Sequence, residues 1–235
     1  MPRIVLHQFP YSHFNDKARW ALTWKGIEYQ QKNYLPGPHM PAIRKLSGRS
    51  QTPVLSWNDE IVAGSAAIID FIERQVPEKP LYPTSASARA AALAWQTRFD
   101  DEVGPAVRTA LFSVLIDEPD YLCSMFSVGK SSIKRFLYRR SFALARPLMA
   151  KGNGVDSETN IAAAFEQTAA ALDDVSAAIG ETGYLVDSSF SVADLAVASL
   201  LAPLIDPPTA DMARPRPRPA ALDNFIARFA SHSAC

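Results

Sequence analysis

Residues 51–65 have the sequence QTPVLSWNDEIVAGS and predict a β-hairpin that leads directly into a helix. Two short β-rich runs, Pro53–Trp57 and Glu60–Ala63, flank an Asn-Asp pair, which favours a tight turn between antiparallel strands. Ser65 then begins a pattern with apolar residues at helical spacing. The rest of the predicted fold is arranged around this hairpin and helix.

The residues before the hairpin alternate between strand and helix patterns. Arg3–His7 is an apolar run typical of a buried strand. His13–Lys25 has apolar residues at helical spacing and is followed by Gly26, which is a common helix stop. Residues 27–34 predict a second strand, and a short helix is predicted near 42–46. The predicted element order is therefore βαβ, then α, then ββα.

The residues that follow the hairpin and its helix predict helices only. Three prolines within residues 76–83 break any helix and indicate a connection between domains. We predict a first domain of residues 1–78, a linker of 79–87 and an all-helical second domain of 88–235. Its predicted helices are 88–115 with a bend near Gly104-Pro105, 120–127, 131–149, 157–179, 192–204 and 221–229.

Charge and cysteine content exclude several classes of protein. The 235 residues include 24 Lys and Arg and 24 Asp and Glu, so the formal net charge is zero and we expect no nucleic-acid or membrane partner. Cys123 and Cys235 have no zinc-ligand or disulfide-framework spacing, and we expect no metal. With no signal-peptide pattern and no apolar run of the ~20 residues that span a bilayer, we expect a cytoplasmic protein.

The junction between the first strand and the first helix carries the most informative polar residues. Residues 9–19 have the sequence FPYSHFNDKAR, and Ser12 comes just before the helix. Unpaired amides and the helix dipole favour a negative charge at that end. The alternative is that the Ser12 hydroxyl simply caps the helix. The position therefore indicates either an anion site or an N-cap.

Three features, in this order along the chain, resemble the glutathione transferase family. Ser12 lies seven positions before the basic Arg19, which is the spacing of the catalytic residue in the serine and cysteine classes of the family. Pro53 matches the proline that opens the third strand in cis, and Gly64 and Ser65 match the start of the following helix. The resemblance is to a bacterial-type, serine-class-like member.

A fourth feature, in the second domain, concerns the fold. Ser191 and Asp194 resemble the family's capping box, in which Ser191 accepts from the Asp194 amide and Asp194 bonds back, with Phe190 and Leu195 as a hydrophobic staple. The resemblance covers essentially the whole chain. It implies an α+β fold with an N-terminal thioredoxin-like βαβαββα domain, followed by an all-α helical bundle.

The resemblance also implies where glutathione binds. The Thr52 backbone would pair with the cysteinyl part of glutathione, and Ser65 would receive the γ-glutamyl carboxylate on its hydroxyl and amide. Gln51 and His39 are candidates for the glycine end. The implied glutathione-binding residues are Phe14, Gln51, Thr52, Pro53, Gly64 and Ser65.

The predicted chemistry is activation of the glutathione thiol. A free thiol has a pKa of about 8.5, and the thiolate is the nucleophile. A hydrogen bond from Ser12 to sulfur, with the helix dipole behind it, lowers that pKa. Tyr11 and Asn15 are alternative donors. Because neither Ser12 nor Asn15 is a thiol, the sequence disfavours dithiol redox chemistry.

One position departs from the family pattern. The family usually has an acidic residue before the helix-opening serine, where it holds the γ-glutamyl amine, and this chain has Gly64. Asp100, Asp101 or Glu102 would supply a substitute charge, or would form a solvated acidic face.

Two functions from different classes follow. The first is a homodimeric glutathione transferase that attacks a small apolar electrophile, with glutathione as co-substrate. The second is a non-catalytic relative that binds apolar ligands or proteins, since fold does not determine function. A glutathione-dependent isomerase, dehalogenase or peroxidase is a further possibility within the enzyme class.

Overall fold

The computed structural model describes residues 2–207 and 214–232. Packing divides the chain into two compact units. One comprises Met1–Asp100 and Ile179–Leu200, and the other comprises Asp101–Ala178 and Leu201–Cys235. The α-helices of the described residues are α1 (His13–Trp24), α2 (Met40–Ser47), α3 (Ser65–Gln75), α4 (Ala86–Arg98), α5 (Gly104–Leu115), α6 (Pro119–Phe126), α7 (Ser132–Gly152), α8 (Glu158–Ala178), α9 (Val192–Leu201) and α10 (Ala220–Phe229).

A four-stranded sheet with the order β2-β1-β3-β4 forms the centre of the first unit. Its strands are β1 (Ile4–Gln8), β2 (Gln30–Asn33), β3 (Val54–Trp57) and β4 (Glu60–Ala63). β1 is parallel to β2 and antiparallel to β3, while β3 and β4 form an antiparallel hairpin. In the hairpin turn Asn58 has φ 53°, a left-handed conformation that asparagine tolerates.

The core of the first unit lies between the sheet and the helices α1 and α3. Leu6 and Leu55 of the sheet, Leu22 of α1, and Ile68 and Ile72 of α3 are fully buried. Burial of each such side chain contributes about 1.5–3 kcal/mol relative to exposure. The apolar spacing that predicted these helices is therefore the spacing of their buried faces.

Helices α4 and α9 extend this core. Ala88 and Ala92 of α4 and Leu195 of α9 are buried in the same cluster. Phe190 packs against it, with its ring centroid 4.6 Å from that of Trp24. The predicted staple residues Phe190 and Leu195 therefore both pack in the core of the first unit.

The capping box at the start of α9 is formed, with one difference from the expectation. The Asp194 carboxylate accepts from the Ser191 amide at 2.8 Å, as predicted, and also from the Leu185 amide at 2.9 Å. The Ser191 hydroxyl accepts from the Ala193 amide at 3.2 Å, in place of the predicted Asp194 amide. The Ser191 hydroxyl also donates to the Asp194 carboxylate, which draws the serine side chain towards that carboxylate.

The second unit is helical over its described residues. Helix α5 packs against α8 and α10, and Phe165 of α8 lies beside Phe225 and Phe229 of α10, with ring centroids 6.1 and 6.2 Å apart. Helix α7 packs on α6 and buries Tyr138 and Phe142. A 3₁₀ turn at Ala202–Leu204 follows α9.

The predicted fold class is confirmed, and two elements differ from their predictions. The helix predicted over 88–115 is divided by a π-helical turn at Phe99–Val103. Pro105 has no amide hydrogen for the preceding turn, which favours such a widening. The second strand is shorter than predicted because the Ile27 amide bonds to the Leu22 carbonyl at the end of α1.

The packing units are not continuous in sequence, and the sequence domains 1–78 and 88–235 stay a prediction. Helix α4 and residues 179–200 pack with the sheet, because their apolar residues join its core. The predicted domain limits describe changes in local pattern along the chain, whereas the packing units follow burial.

Candidate active site

The predicted active serine lies at the N-terminal end of α1. Ser12 has extended backbone angles (φ −136°, ψ 118°), and its carbonyl accepts from the Asn15 and Asp16 amides at 2.8 Å. Its hydroxyl makes no capping hydrogen bond to the helix, and the residue is half-buried. The side chain is therefore not used as an N-cap, which was one of the two alternatives for this position.

Asn15, one turn further along α1, joins this helix to the loop before β3. It is fully buried, and its side-chain amide donates to Thr52 Oγ1 at 3.2 Å and to the Phe9 carbonyl at 3.5 Å. Both amide hydrogens therefore have partners within the protein. Its Oδ1 is buried without a hydrogen-bond partner among the described residues. This distribution makes Asn15 a weaker donor candidate for a thiolate than the Ser12 hydroxyl.

The hairpin brings the start of α3 to the same loop. The Thr52-Pro53 peptide bond is cis, as the family resemblance implied. The Gly64 amide donates to the Pro53 carbonyl at 2.9 Å, and Val54 and Ala63 are paired in register. Ser65, the first residue of α3, follows immediately and is buried. Thr52 and Ser65 are thus held at one end of the β3–β4 hairpin.

Gly64 has backbone angles that explain its residue type. Its φ is 99° and its ψ is 142°, a region that L side chains rarely adopt. A Cβ at this position would contact no other atom within 4 Å, so the restriction comes from the backbone and not from crowding. The structure therefore accounts for glycine at this position without recourse to ligand binding.

A buried polar network holds the loop that precedes Ser12. Arg19 of α1 donates to Gln8 Oε1 at 2.8 Å and to the Pro10 carbonyl at 3.1 Å, and it pairs with Asp16. Gln8 in turn donates to Asn33 Oδ1 at 3.0 Å. Sequence spacing identified Arg19, whereas the role of Gln8 was missed, because a polar residue at a strand end carries no signal of its long-range partner.

Asp100 is engaged by a cation within the first unit. Lys17 is fully buried, and its Nζ lies 2.7 and 2.6 Å from the two carboxylate oxygens of Asp100. Burying a lysine requires such a partner, because an unpaired charge loses its hydration. Asp100 therefore already compensates a charge of the protein, which disfavours it as the substitute for the acidic residue absent at Gly64.

The remaining predicted site residues are less constrained. Gln51 is exposed, and Tyr11 and Phe14 are half-buried, with the Phe14 ring 4.7 Å from that of His13. His39 Nε2 donates to the Ser50 carbonyl at 2.9 Å, and burial lowers the pKa of His39.

The His39 ring also packs edge-on against Phe9 at 4.7 Å. His39 therefore contacts the loop that leads to Ser12.

Residues 2–207 and 214–232 contain no group of three His, Cys, Asp or Glu side chains placed to hold a metal ion. Within the same ranges, no helix is long and apolar enough to cross a bilayer.

The N-terminal part of the chain matches a known protein family. Residues 6–80 match the family model described as "Glutathione S-transferase, N-terminal domain". Glutathione S-transferase 1 of Dianthus caryophyllus is 34% identical over 91 residues, which are 37% of this chain and 41% of that protein. The matched region thus spans less than half the length of this curated relative.

Solved structures match over nearly the whole chain. The theta class glutathione S-transferase of Xanthomonas axonopodis pv. citri, with glutathione bound, has a TM-score of 0.62 at 21% identity and covers 100% of this chain and 95% of that chain. The beta-etherase LigF from Sphingobium sp. strain SYK-6 has a TM-score of 0.61 at 18% identity, with coverages of 98% and 96%. The chain therefore has the glutathione S-transferase fold, and residues 6–80 match its N-terminal domain family.

Proposed function

We propose that this protein is a glutathione transferase in which Ser12 activates the glutathione thiol. The observation that carries the proposal is the Ser12 hydroxyl, which stands at the N-terminal end of α1 without capping it. Its neighbours support the same assignment. Asn15 hydrogen-bonds Thr52 in the loop before β3, and the Gly64 amide, which precedes α3, hydrogen-bonds the Pro53 carbonyl of that loop.

The Ser12 hydroxyl would donate a hydrogen bond to the thiolate, and the positive end of the α1 dipole would stabilise the same charge. Each unit by which the thiol pKa falls corresponds to about 1.4 kcal/mol of differential stabilisation, which one charged hydrogen bond and a dipole can supply. The thiol proton is released to solvent, and the thiolate sulfur then attacks an electrophilic carbon of a small apolar molecule. The new S–C bond forms as a leaving group departs with its bonding electron pair or, in an addition, as the attacked double bond opens and takes up a proton from solvent. This assignment corresponds to the serine class of the family.

Glutathione would lie along the loop formed by Thr52 and Pro53. The Thr52 backbone pairs with the cysteinyl part, as in an added strand. The hydroxyl and amide of Ser65 receive the γ-glutamyl carboxylate at the positive end of α3. The remaining contacts would come from Phe14, Gln51 and Gly64.

We place this activity in the cytoplasm, in a homodimer, with no metal. Cys123 is free and buried, and burial, opposed in part by Arg139, raises its pKa to about 11. Such a thiol is unreactive at neutral pH. Cys235 lies outside the described residues.

The alternative function is a non-catalytic protein of the same fold that binds an apolar ligand or a protein. Gly64 favours this alternative, since no carboxylate stands at the position that holds the γ-glutamyl amine in the family. Titration with glutathione separates the two functions, because the transferase must bind glutathione and lower the pKa of its thiol.

The test is a calorimetric titration with glutathione, followed by thiolate absorbance against pH for the parent and for Ser12→Ala. We expect Ser12→Ala to retain binding, to raise the bound thiol pKa and to slow conjugation about tenfold to a hundredfold.

Ser85→Ala is the matched control, because the Ser85 hydroxyl does cap its helix, accepting from the Ala88 amide at 3.4 Å. Ser85→Ala should lower the free energy of unfolding without changing the pKa of the bound glutathione thiol. Absence of glutathione binding would refute the proposal, and an unchanged thiol pKa in Ser12→Ala would transfer the role to Tyr11 or Asn15.

A further inference from the structure

Helix α7 concentrates positive charge in a chain whose formal net charge is zero. Residues 121–155 contain no Asp or Glu, so all 24 acidic residues lie outside this segment. The seven cations of the segment are Lys130, Lys134, Arg135, Arg139, Arg140, Arg146 and Lys151. Zero net charge argued against a membrane partner for the whole protein, but this segment has a strong local field of one sign.

The same helix exposes large apolar side chains on one face. Ile133, Phe136, Leu137, Leu144 and Leu148 are 71%, 63%, 60%, 88% and 68% exposed. At 100° of rotation per residue these five positions fall within one third of the helix circumference, and they extend for about 22 Å along it. We call them the outer face of α7.

The opposite side of α7 packs within the second unit. Tyr138 and Phe142 are buried there, and α6 is its neighbour. The exposed apolar residues are therefore not the core-facing stripe of an amphipathic helix, because that stripe is already filled. They form a second apolar stripe, which has no partner among the described residues.

Some cations of α7 are paired with carboxylates and others are not. Arg139 pairs with Asp120, and Arg146 pairs with Asp117. The exposed cations of α7 without an ion pair among the described residues are Lys134, Arg135, Arg140 and Lys151. By helical rotation, Arg140 and Lys151 lie on the outer face itself. Their long side chains can lay apolar stems along this face and direct the charge outward.

We propose that the outer face of α7 docks onto an anionic phospholipid bilayer, with the helix lying in the plane of the interface. Apolar residues flanked by Lys and Arg, with no acidic residue, are the pattern of helices that bind such surfaces. No helix of the described residues, α7 included, is long and apolar enough to cross a membrane.

Other occupants fit this face less well. Nucleic acid matches the charge but gives no place for five exposed apolar side chains. A second copy of α7 packed on the first would bring Arg140 and Lys151 against cations of the same kind, which costs energy without an opposing carboxylate.

The test is flotation of the full chain with vesicles of phosphatidylcholine and phosphatidylserine, compared with phosphatidylcholine alone. We expect binding to the anionic vesicles only, and weaker binding as the salt concentration rises. Leu144→Glu should reduce binding about tenfold or more, because it replaces the most exposed apolar residue with an anion.

Ile61→Glu is the matched control, since Ile61 is an exposed apolar residue (40%) on β4. It introduces the same charge and should leave binding unchanged. Circular dichroism confirms that both variants are folded. Equal binding to the two kinds of vesicle, no binding at all, or equal loss in both variants overturns the proposal. So does a dimer that Leu144→Glu converts to monomer in the absence of lipid.

Discussion

The side-chain amide of Asn15 donates to Thr52 Oγ1 at 3.2 Å and so connects the first turn of α1 to the loop before β3. The two residues are 37 positions apart in sequence. Ser12 is connected to the same residue, because the Ser12 carbonyl accepts from the backbone amide of Asn15. The proposed thiol donor and the proposed glutathione-pairing loop are therefore positioned by one buried residue, Asn15, which bonds Ser12 through its backbone and Thr52 through its side chain.

Replacing Thr52 by valine tests this connection. Thr52→Val removes the acceptor at nearly constant shape and should lower the free energy of unfolding by about 1 kcal/mol. Glutathione affinity should fall severalfold, because the loop that pairs with the cysteinyl part is less restrained. Calorimetry and urea unfolding measure the two effects.

The control for this change is Thr168→Val in α8. The Thr168 hydroxyl donates to the Ala164 carbonyl at 2.7 Å, so the same substitution again removes one side-chain hydrogen bond. Its stability loss should be similar, and glutathione affinity should remain that of the parent. Equal affinity losses in both variants would contradict a local role for Thr52.

Ser65→Ala should weaken glutathione binding about tenfold or more, because the γ-glutamyl carboxylate loses one charged hydrogen bond. The fold should be unaffected, since the α3 amides remain. The decisive ligand is glutathione with its γ-glutamyl α-carboxylate amidated. The parent should bind this analogue weakly, and Ser65→Ala should bind it no worse than the parent does. If Ser65→Ala lost as much affinity for the analogue as it loses for glutathione, Ser65 would contact another part of the ligand.

Gly64→Ala should lower the free energy of unfolding by about 1–3 kcal/mol, because φ 99° is costly for any residue with a Cβ. Gly152→Ala provides the comparison. Gly152 lies in α7 with no positive φ, and a Cβ there also contacts nothing within 4 Å, so alanine should stabilise by about 0.5–1 kcal/mol. Thermal unfolding of both variants measures the difference. The same sign of change in both would show that backbone conformation does not select glycine at position 64.

His7 makes stability depend on pH. It lies between Tyr34 Oη at 2.9 Å and Ser56 Oγ at 3.0 Å, and burial, with a smaller contribution from Lys32, lowers its pKa to about 4. In the unfolded chain His7 binds a proton near pH 6.5, whereas in the folded protein it stays neutral down to about pH 4. The folded state is therefore at full stability, with respect to His7, above pH 6.5 and loses stability as the pH falls towards 4. The loss should reach about 3 kcal/mol at most.

His7→Gln removes the titrating group from this site. Urea unfolding between pH 7 and pH 4 should then show a shallower decrease of the unfolding free energy than in the parent. The comparison is of slopes, because the glutamine variant has a different stability at neutral pH. Identical slopes would mean that other groups cause the acid sensitivity.

Local pattern determined the elements. The helix over 65–75, the hairpin turning at Asn58 and the capping box of Ser191 and Asp194 each depend on residues within about ten positions of one another, and a single sequence shows such spacings. The position of Ser12 at the start of α1 belongs to the same class of local information.

Tertiary structure decided what those residues contact. The bond from Asn15 to Thr52, the ion pair of Lys17 with Asp100 and the exposed outer face of α7 all depend on which segments meet in space. Apolar periodicity shows that a helix has a face that can be buried, but not whether a second face stays uncovered, because burial depends on long-range packing. Sequence alone therefore determined the order of the elements and most of their bounds, and packing decided which polar groups meet at the site and which apolar groups remain exposed.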